Sequence, residues 1–477
     1  MKYFLFVLAL LCGLPISGQI LDSPGARDLD SLLTGSWSGD VFNAVGARNR
    51  VIINFTSFKR GPCDATWDLP TYGWIGNRFS RVSCADGNIL LQDDSADVVF
   101  TGVYTQSPLA ITGTWVQRRT NSPVVFRKLY EAKRIQEPGP QPPFLRIPLS
   151  IPNRPAGVML GAELIIPDTL GRYPLAILAG DRELTDRDAR DQSGHAPYLI
   201  LAALLAERNI ATLRIDDRGT GLSTGIADPE SIDDEASDIG AALERLRRHP
   251  NVDTTRIVVI GHGEGGLAAT VVANRYPTIS RLVFMGTPAT NGTETLLGQI
   301  AARERARETD EELIGVAVSM VRAWCAEVLR NRKKDSVVFA LLRITDSVLA
   351  ARPDLLDRYP LARQLQQPGR EDYMVSTLLP WLWSYLWYSP APYFDQLRQP
   401  VLALYAERDT EVPAAIHAPA LATYKMRGSR VVIETIPNVN HWFQPCDVCD
   451  ADERLRTELS ISTNVVARIS RWILQGR

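Results

Sequence analysis

Residues 257–268 read Ile-Val-Val-Ile-Gly-His-Gly-Glu-Gly-Gly-Leu-Ala. The opening run is continuous and β-branched, as a strand buried on both faces of a parallel sheet requires. Its glycines allow a sharp turn and a close approach of backbone to backbone. The Leu-Ala end starts an apolar segment typical of a helix. This stretch therefore predicts a buried strand, a tight turn and a helix.

The turn lacks the residue that would give it chemistry. A strand, turn and helix of this kind carries Gly-x-Ser-x-Gly in hydrolytic enzymes, where the turn displays a serine nucleophile. Here the outer glycines are Gly261 and Gly265, but the central residue is Gly263. Glycine has no side-chain atom that can attack an acyl carbon. His262 and Glu264 are one position off, so we expect their side chains to point elsewhere.

The chain around this turn alternates strands with helices. Such alternation predicts a doubly wound, mostly parallel sheet in a domain spanning 151–477. Strands are predicted at 158–166, 174–179, 210–215, 256–260, 281–285, 401–405 and 430–434, and helices at 198–207, 234–248 and 464–474.

About a hundred residues of helical pattern, at roughly 290–395, interrupt this alternation and predict a cap inserted above the sheet. The cap contains the densest aromatic cluster of the chain. Its members could line a pocket for an apolar ligand or pack the cap against the body: Trp381, Trp383, Tyr385 and Trp387.

The N-terminal part of the chain has a different pattern. Short β-branched and aromatic runs separated by Gly, Asp, Ser and Pro predict a small all-β, barrel-like domain over 19–135. Trp37 and Trp115 stand in Gly-x-Trp corners near its two ends, and we interpret them as core residues. The Pro-rich segment 136–150 is predicted to be an extended linker.

The first residues have the pattern of a secretory signal peptide, predicted as 1–18. An oxidising compartment permits disulfides. We expect Cys63 to pair with Cys84, and Cys446 to pair with Cys449 in a short structural bridge. Cys325 is then left as a buried thiol; alternatively it pairs with one cysteine of the C-terminal motif. No second cysteine pair or histidine cluster completes a zinc site, so neither metal nor cofactor is predicted.

From about residue 156 to the C-terminus, the chain resembles secreted bacterial α/β-hydrolase esterases related to the serine aminopeptidase group. Those proteins carry Gly-His-Ser-Glu-Gly-Gly at the turn, where this chain has Gly-His-Gly-Glu-Gly-Gly. The segments 216–225, 407–413 and 440–444 also resemble family segments, in the order that the fold requires. The resemblance implies an α/β-hydrolase fold, with Asp409 and His441 as the acid and base of a relic triad.

The resemblance also implies an oxyanion loop that is changed here. The family's loop is rich in Gly, Ser and Pro, whereas residues 179–188 read Ala-Gly-Asp-Arg-Glu-Leu-Thr-Asp-Arg-Asp. Gly180 and Asp181 stand where oxyanion stabilisation is expected, and a negative charge there opposes it. The backbone N–H of Glu264 is the other expected donor and is predicted to stay available.

These observations leave three functional hypotheses. The chain is a pseudoenzyme that binds a small or peptide-like apolar ligand, a weak ester or peptide-bond hydrolase that uses water activated by His441 and Asp409, or a scaffold for the N-terminal β domain. We prefer the first, because a water mechanism still needs the oxyanion loop. A net charge of −2 gives no electrostatic reason to expect nucleic acid or a membrane as partner.

Overall fold

A computed structural model describes the chain from residue 33 to residue 476. Residues outside the description within that span are 43–47, 57–63, 70–73, 86, 107–108, 118–119, 130–134, 140, 182–184, 191–194, 227–230, 307–308, 332, 359–361, 363–364, 387–388, 427–428, 448, 450–452 and 455–456. The predicted signal peptide therefore lies outside the described residues. The chain divides into two compact units.

The first unit is an all-antiparallel sheet. Its edge strands, β4 and β5, are consecutive in the chain and joined by only residues 79–80, so the sheet curls to bring its two edges together. This agrees with the predicted β domain. Its strands β1–β9 are Gly35–Phe42, Arg48–Phe55, Ala65–Leu69, Trp74–Arg78, Arg81–Ala85, Asn88–Asp93, Val98–Gln106, Leu109–Gln117 and Thr120–Leu129.

Aromatic side chains fill the interior of this curled sheet. Trp37, Trp67 and Trp115 are each at most 1% exposed, and the rings of Trp67 and Trp115 meet edge to face at 5.5 Å. The interpretation of Trp37 and Trp115 as core residues is therefore confirmed. Trp67 is held in addition by a 3.0 Å hydrogen bond from its indole N–H to the carboxylate of Asp93.

The second unit is built on an eight-stranded sheet in the order β10-β11-β13-β12-β14-β15-β16-β17. The pairs β10–β11 and β11–β13 are antiparallel and all the others are parallel. The sheet begins at Leu145, inside the segment predicted as linker. Its strands β10–β17 are Leu145–Asn153, Val158–Ile166, Tyr173–Ala179, Ala211–Ile215, Val252–His262, Ile279–Met285, Val401–Ala406 and Val431–Ile436.

The helices of this unit agree with the predicted ones to within a few residues. Several lie between β15 and β16, which confirms a helical insertion at that point. The helices α1–α12 are Pro197–Ala206, Ile232–Leu246, Gly265–Arg275, Gly292–Ala306, Glu311–Arg330, Lys334–Ala351, Leu355–Arg358, Arg370–Tyr373, Leu379–Leu386, Ala391–Phe394, Ala414–Ala422 and Thr463–Gln475, with a π-helical turn at Met374–Leu378 before α9. No helix among the described residues is long and apolar enough to cross a bilayer.

The strand order brings separate loops to one place. β12 and β14 are parallel neighbours, with Ala179 opposite Gly261. After β12 the chain continues on one face of the sheet, and after β14 it continues on the other face. A crevice forms at the carboxyl ends of two neighbouring strands whose connections diverge in this way. β16 and β17 end at the same edge. The loops that follow these four strands therefore approach one another.

The cysteines are arranged largely as predicted. Cys446 and Cys449 form a disulfide, and Cys325 is a buried free thiol. Cys84 is disulfide-bonded. Its predicted partner, Cys63, lies outside the described residues.

The glycines of the turn after β14 are required by packing. A Cβ at Gly266 would overlap the side chain of Thr287. We expect Gly266→Ala to destabilise the protein by about 1–3 kcal/mol, because overpacking forces neighbouring groups apart. The measurement is the midpoint of urea unfolding.

Gly315→Ala is the matched control, because a Cβ at this exposed helical position meets nothing within 4 Å. It should stabilise the protein by up to about 1 kcal/mol. Equal effects of the two substitutions would show that the turn is not tightly packed.

Candidate active site

His441 and Asp409 form a buried pair at the carboxyl edge of the sheet. The loop after β16 carries Asp409 and the loop after β17 carries His441, and their side chains meet with 2.7 Å between Nδ1 and Oδ2. Asp409 is 3% exposed and His441 is 5% exposed. The structure thus brings together the two residues that the sequence proposed as acid and base.

Asp409 is held by backbone as well as by histidine. Its Oδ1 accepts hydrogen bonds from the N–H groups of Glu411 (2.7 Å) and Val412 (2.8 Å). Burial opposes its ionisation, but the charge and hydrogen bond of His441 and the two N–H groups outweigh burial and lower the pKa of Asp409. The carboxylate is therefore a fixed negative charge that orients the imidazole.

The turn after β14 places Gly263 beside this pair. The N–H of Gly263 donates to the carbonyl of Met285 at 2.9 Å, and its own carbonyl accepts from the N–H of Gly266 at 3.2 Å. Its φ is +55°, the left-handed region that costs side-chain-bearing residues free energy and costs glycine little. The chain therefore makes a tight turn between β14 and α3 with no side chain at its central residue.

The space above Gly263 is filled by Asp181, which follows β12. A Cβ built on Gly263 would overlap the carboxylate carbon and both oxygens of Asp181, well inside any real contact. A seryl side chain at 263 would therefore need the volume that this carboxylate occupies. Asp181, predicted only as a disturbance of the oxyanion loop, lies at the centre of the site.

Both carboxylate oxygens of Asp181 have partners from the triad machinery. Oδ1 accepts from the backbone N–H of Glu264 at 3.0 Å, and Oδ2 lies 3.3 Å from Nε2 of His441. The N–H of Glu264, predicted to stay available for an oxyanion, is thus engaged by Asp181. Burial opposes ionisation of Asp181, but the hydrogen bond and charge of His441 outweigh it and lower the pKa of the carboxyl.

His441 lies between two carboxylates. Burial opposes its protonation, but the charges of Asp409 and Glu411 and the hydrogen bonds to Asp181 and Asp409 outweigh burial and raise the pKa of His441 well above its ordinary value. The ring donates from Nδ1 to Asp409 and from Nε2 to Asp181. An imidazole that donates from both nitrogens has no lone pair with which to act as a base.

His262, the last residue of β14, also faces this group. The sequence predicted that its side chain points elsewhere, but its ring centroid lies 4.5 Å from that of His441. Its Nε2 donates to the backbone carbonyl of His441 at 3.0 Å, and burial lowers its pKa to about 4. The pattern Gly-His-Gly contains no signal for this contact, which depends on how β14 and the loop after β17 meet.

Asp188, another carboxylate of the altered loop, has a structural contact: it pairs with the buried guanidinium of Arg214. The loop is also held through Thr185, whose N–H donates to Asp217 at 2.7 Å. The carbonyl of Gly180 lies against Gly265, where a Cβ would overlap it. Of the described carboxylates in this loop, Asp181 is the one that contacts His441.

Ser223, in the turn after β13, donates its hydroxyl to the backbone carbonyl of Asp216 at 2.7 Å. The aromatic cap cluster is described only in part. Trp383 is half-buried, whereas Trp387 and the side chains of Trp381 and Tyr385 lie outside the described part of the chain.

Comparison with known proteins agrees with this architecture. Residues 193–451, more than half of the chain, match the alpha/beta hydrolase family. The chain belongs to that family. No curated protein sequence matches it as a relative.

Solved structures resemble the chain at low identity. An esterase from Pyrococcus furiosus is 15% identical, with 70% of this chain and 94% of that chain covered and a TM-score of 0.41. A proline iminopeptidase-related protein from Thermus thermophilus is 18% identical, with 69% of this chain and 98% of that chain covered and a TM-score of 0.38. Est1E from Butyrivibrio proteoclasticus, in a structure with ferulic acid bound, is 17% identical, with 65% of this chain and 96% of that chain covered and a TM-score of 0.36. We carry no activity over from them.

The buried pair should matter to stability. Asp409→Asn removes a buried charge beside the protonated His441, so we expect a loss of about 3 kcal/mol in the free energy of unfolding in urea at neutral pH. Glu311→Gln breaks the exposed pair with Arg305 and is the control, with a much smaller expected loss. Equal losses would mean that Asp409 and His441 are not a buried charged pair.

Proposed function

We propose that this protein is an esterase-like member of the alpha/beta hydrolase family that has lost the serine route and binds a ligand without turning it over. The observation that carries the proposal is the position of Asp181. Its carboxylate fills the volume of a seryl side chain above Gly263 and engages the N–H of Glu264 and the imidazole of His441. The site therefore differs from that of a serine hydrolase at the nucleophile, at the oxyanion donor Glu264 and at the general base His441.

The same position weakens the case for water activated by His441. Such a water would accept or donate at Nε2, where the seryl oxygen stands in a triad. Here Oδ2 of Asp181 lies at 3.3 Å from that nitrogen. The Glu264 N–H, which would stabilise an oxyanion, donates to the other oxygen of the same carboxylate. Asp181 thus competes with both the water and the oxyanion.

The ligand that we propose is a small or peptide-like molecule with an apolar acyl group, without nucleic acid or membrane as partner. This rests on the resemblance of the chain to ester hydrolases and on the aromatic residues 381–387 of the helical insertion. We also keep the proposal that the protein is exported, as the first eighteen residues suggest. The hypothesis that the hydrolase-like part of the chain is a scaffold for the β domain has no observation in its favour beyond the presence of that domain.

Restoring the serine should not be enough to restore reactivity. We expect Gly263→Ser alone to stay unlabelled by a fluorophosphonate probe, because the carboxylate of Asp181 occupies the seryl position. The double variant Gly263→Ser with Asp181→Gly should label at least about 10²-fold faster, since it frees both the space and the general base. Labelling rates are followed by in-gel fluorescence.

The matched control is Gly263→Ser with Asp186→Gly. It removes a carboxylate from the same loop, where the side chain of Asp186 caps the N–H groups of Asp188 and Arg190. This control should stay unlabelled. Rapid labelling of wild type or of the single Gly263→Ser variant would contradict the proposal.

One observation favours a second function. A carboxylate can itself be a nucleophile, and Asp181 presents one oxygen to an oxyanion donor and the other to a histidine that is backed by Asp409. Oδ2 would attack the alkyl carbon of an ester and displace the ester's carboxylate, which would take the Nε2 proton of His441. Neutral His441 would then take a proton from water as the water attacks Cγ of the resulting aspartyl ester, and the alcohol would leave with the second proton of that water.

The second function predicts a distinct isotope pattern. In a single turnover in H₂¹⁸O, the heavy oxygen should enter the carboxylate of Asp181 and the released product should carry none. Mass spectrometry of the peptide that contains Asp181 measures this on short-chain esters. Heavy oxygen in the first product, or no turnover across the ester panel, would rule this function out.

A further inference from the structure

Three side chains at the centre of the site have the composition of a metal centre. A ring nitrogen of His262, a ring nitrogen of His441 and a carboxylate oxygen of Asp181 lie within 4.8 Å of one another. They come from three separate parts of the chain: the end of β14, the loop after β17 and the loop after β12. Spacing rules for metal ligands cannot find such a set, because no two of its members are close in sequence.

The orientation of His262 leaves one nitrogen for a ligand. A carbonyl oxygen only accepts, so the 3.0 Å bond between Nε2 and the carbonyl of His441 requires the proton to be on Nε2. Nδ1 of the neutral ring then carries a lone pair. This atom is buried and has no hydrogen-bond partner among the described residues, in a side chain only 2% exposed. A buried acceptor without a partner costs free energy that a bound ion would recover.

The ring of His441 is also held by a hydrogen bond at one nitrogen, which leaves the other nitrogen facing the site. Its Nδ1 bonds to Asp409 at 2.7 Å, which directs Nε2 toward Asp181. In the metal-free site Nε2 carries a proton, and it releases this proton to solvent when it binds the ion. Histidines that ligate metals regularly give their second N–H to a carboxylate or to a backbone carbonyl. Both arrangements are present here, one on each histidine.

The separation between two of the ligand atoms suits a tetrahedral ion. Nε2 of His441 and Oδ2 of Asp181 are 3.3 Å apart, and two ligands about 2.0–2.1 Å from zinc at a tetrahedral angle stand roughly 3.3 Å from each other. The widest separation in the set, up to 4.8 Å, would have to shorten as the ion binds. Asp181 is 20% exposed, so an ion can reach the site from solvent.

We infer that Asp181, His262 and His441 form a binding site for a first-row divalent metal ion, with Zn²⁺ as the reference ion. Two imidazoles and one carboxylate suit Zn²⁺, Fe²⁺, Co²⁺ or Ni²⁺, whereas Ca²⁺ and Mg²⁺ require more oxygen ligands. Three protein ligands leave a further coordination position toward solvent, as in catalytic zinc sites. This inference does not rest on the proposed function, and it would hold whether or not the protein turns over a substrate.

The test titrates Zn²⁺ into the full chain after treatment with a chelator, using calorimetry, and repeats the titration with Co²⁺ by visible absorption. A single ion per chain should bind, and Mg²⁺ and Ca²⁺ should not compete. His262→Gln and Asp181→Asn should each weaken binding at least about tenfold. His249→Gln and the exposed Asp335→Asn, which lie outside the set, should leave binding unchanged.

A second measurement protects the test against misfolded variants. X-ray absorption at the zinc edge of the wild-type protein should show two imidazole ligands with oxygen in the remaining positions. One imidazole, sulfur ligands, no binding at millimolar Zn²⁺, or full binding by both substituted proteins would overturn the inference. None of these results depends on labelling by the fluorophosphonate probe. A failure of the metal-site inference can therefore be told apart from a failure of the proposed function.

Discussion

The carboxylate of Asp181 holds together the loops that meet at the carboxyl edge of the sheet. One oxygen takes the N–H of Glu264 at the start of the helix after β14, and the other meets His441 from the loop after β17. A negative charge strengthens both contacts, because one partner is the N–H at a helix start and the other is an imidazole whose protonated form it stabilises. The same carboxylate occupies the space that a side chain at position 263 would need, so the position of Asp181 depends on glycine at 263.

For the loss of the serine route that we propose, this pairing explains how the acid and base could be kept without the nucleophile. Without the seryl oxygen, His441 would face a cavity and Asp409 would hold a buried histidine with one unsatisfied nitrogen. Asp181 supplies the missing partner from the neighbouring strand, so His441 and Asp409 retain a structural reason to stay. A retained acid and base are therefore weak support for retained catalysis in this fold, and the groups that contact Nε2 are more informative.

Much of the fold could be predicted from the sequence, because buried parallel strands are continuous apolar runs and their alternation with helices indicates a doubly wound, mostly parallel sheet. The contact between Asp409 and His441 was also predictable, since both follow strands that end at the same edge. The roles of Asp181 and His262 were not. They depend on side-chain directions where β12, β14 and the loop after β17 meet, and neither residue stands at a position that the Gly-x-Ser-x-Gly pattern marks. Leu145 was assigned to a linker because Pro residues dominate the segment before it.

The central claim is that Asp181 and His441 interact directly across the position above Gly263. A double-mutant cycle on the free energy of unfolding, with Asp181→Asn, His441→Gln and the double variant, isolates that interaction from the other contacts of each residue. We expect a favourable coupling of about 1–3 kcal/mol at neutral pH in chelator-treated protein. Additive effects, with a coupling near zero, would show that Asp181 does not take the place of the nucleophile beside His441.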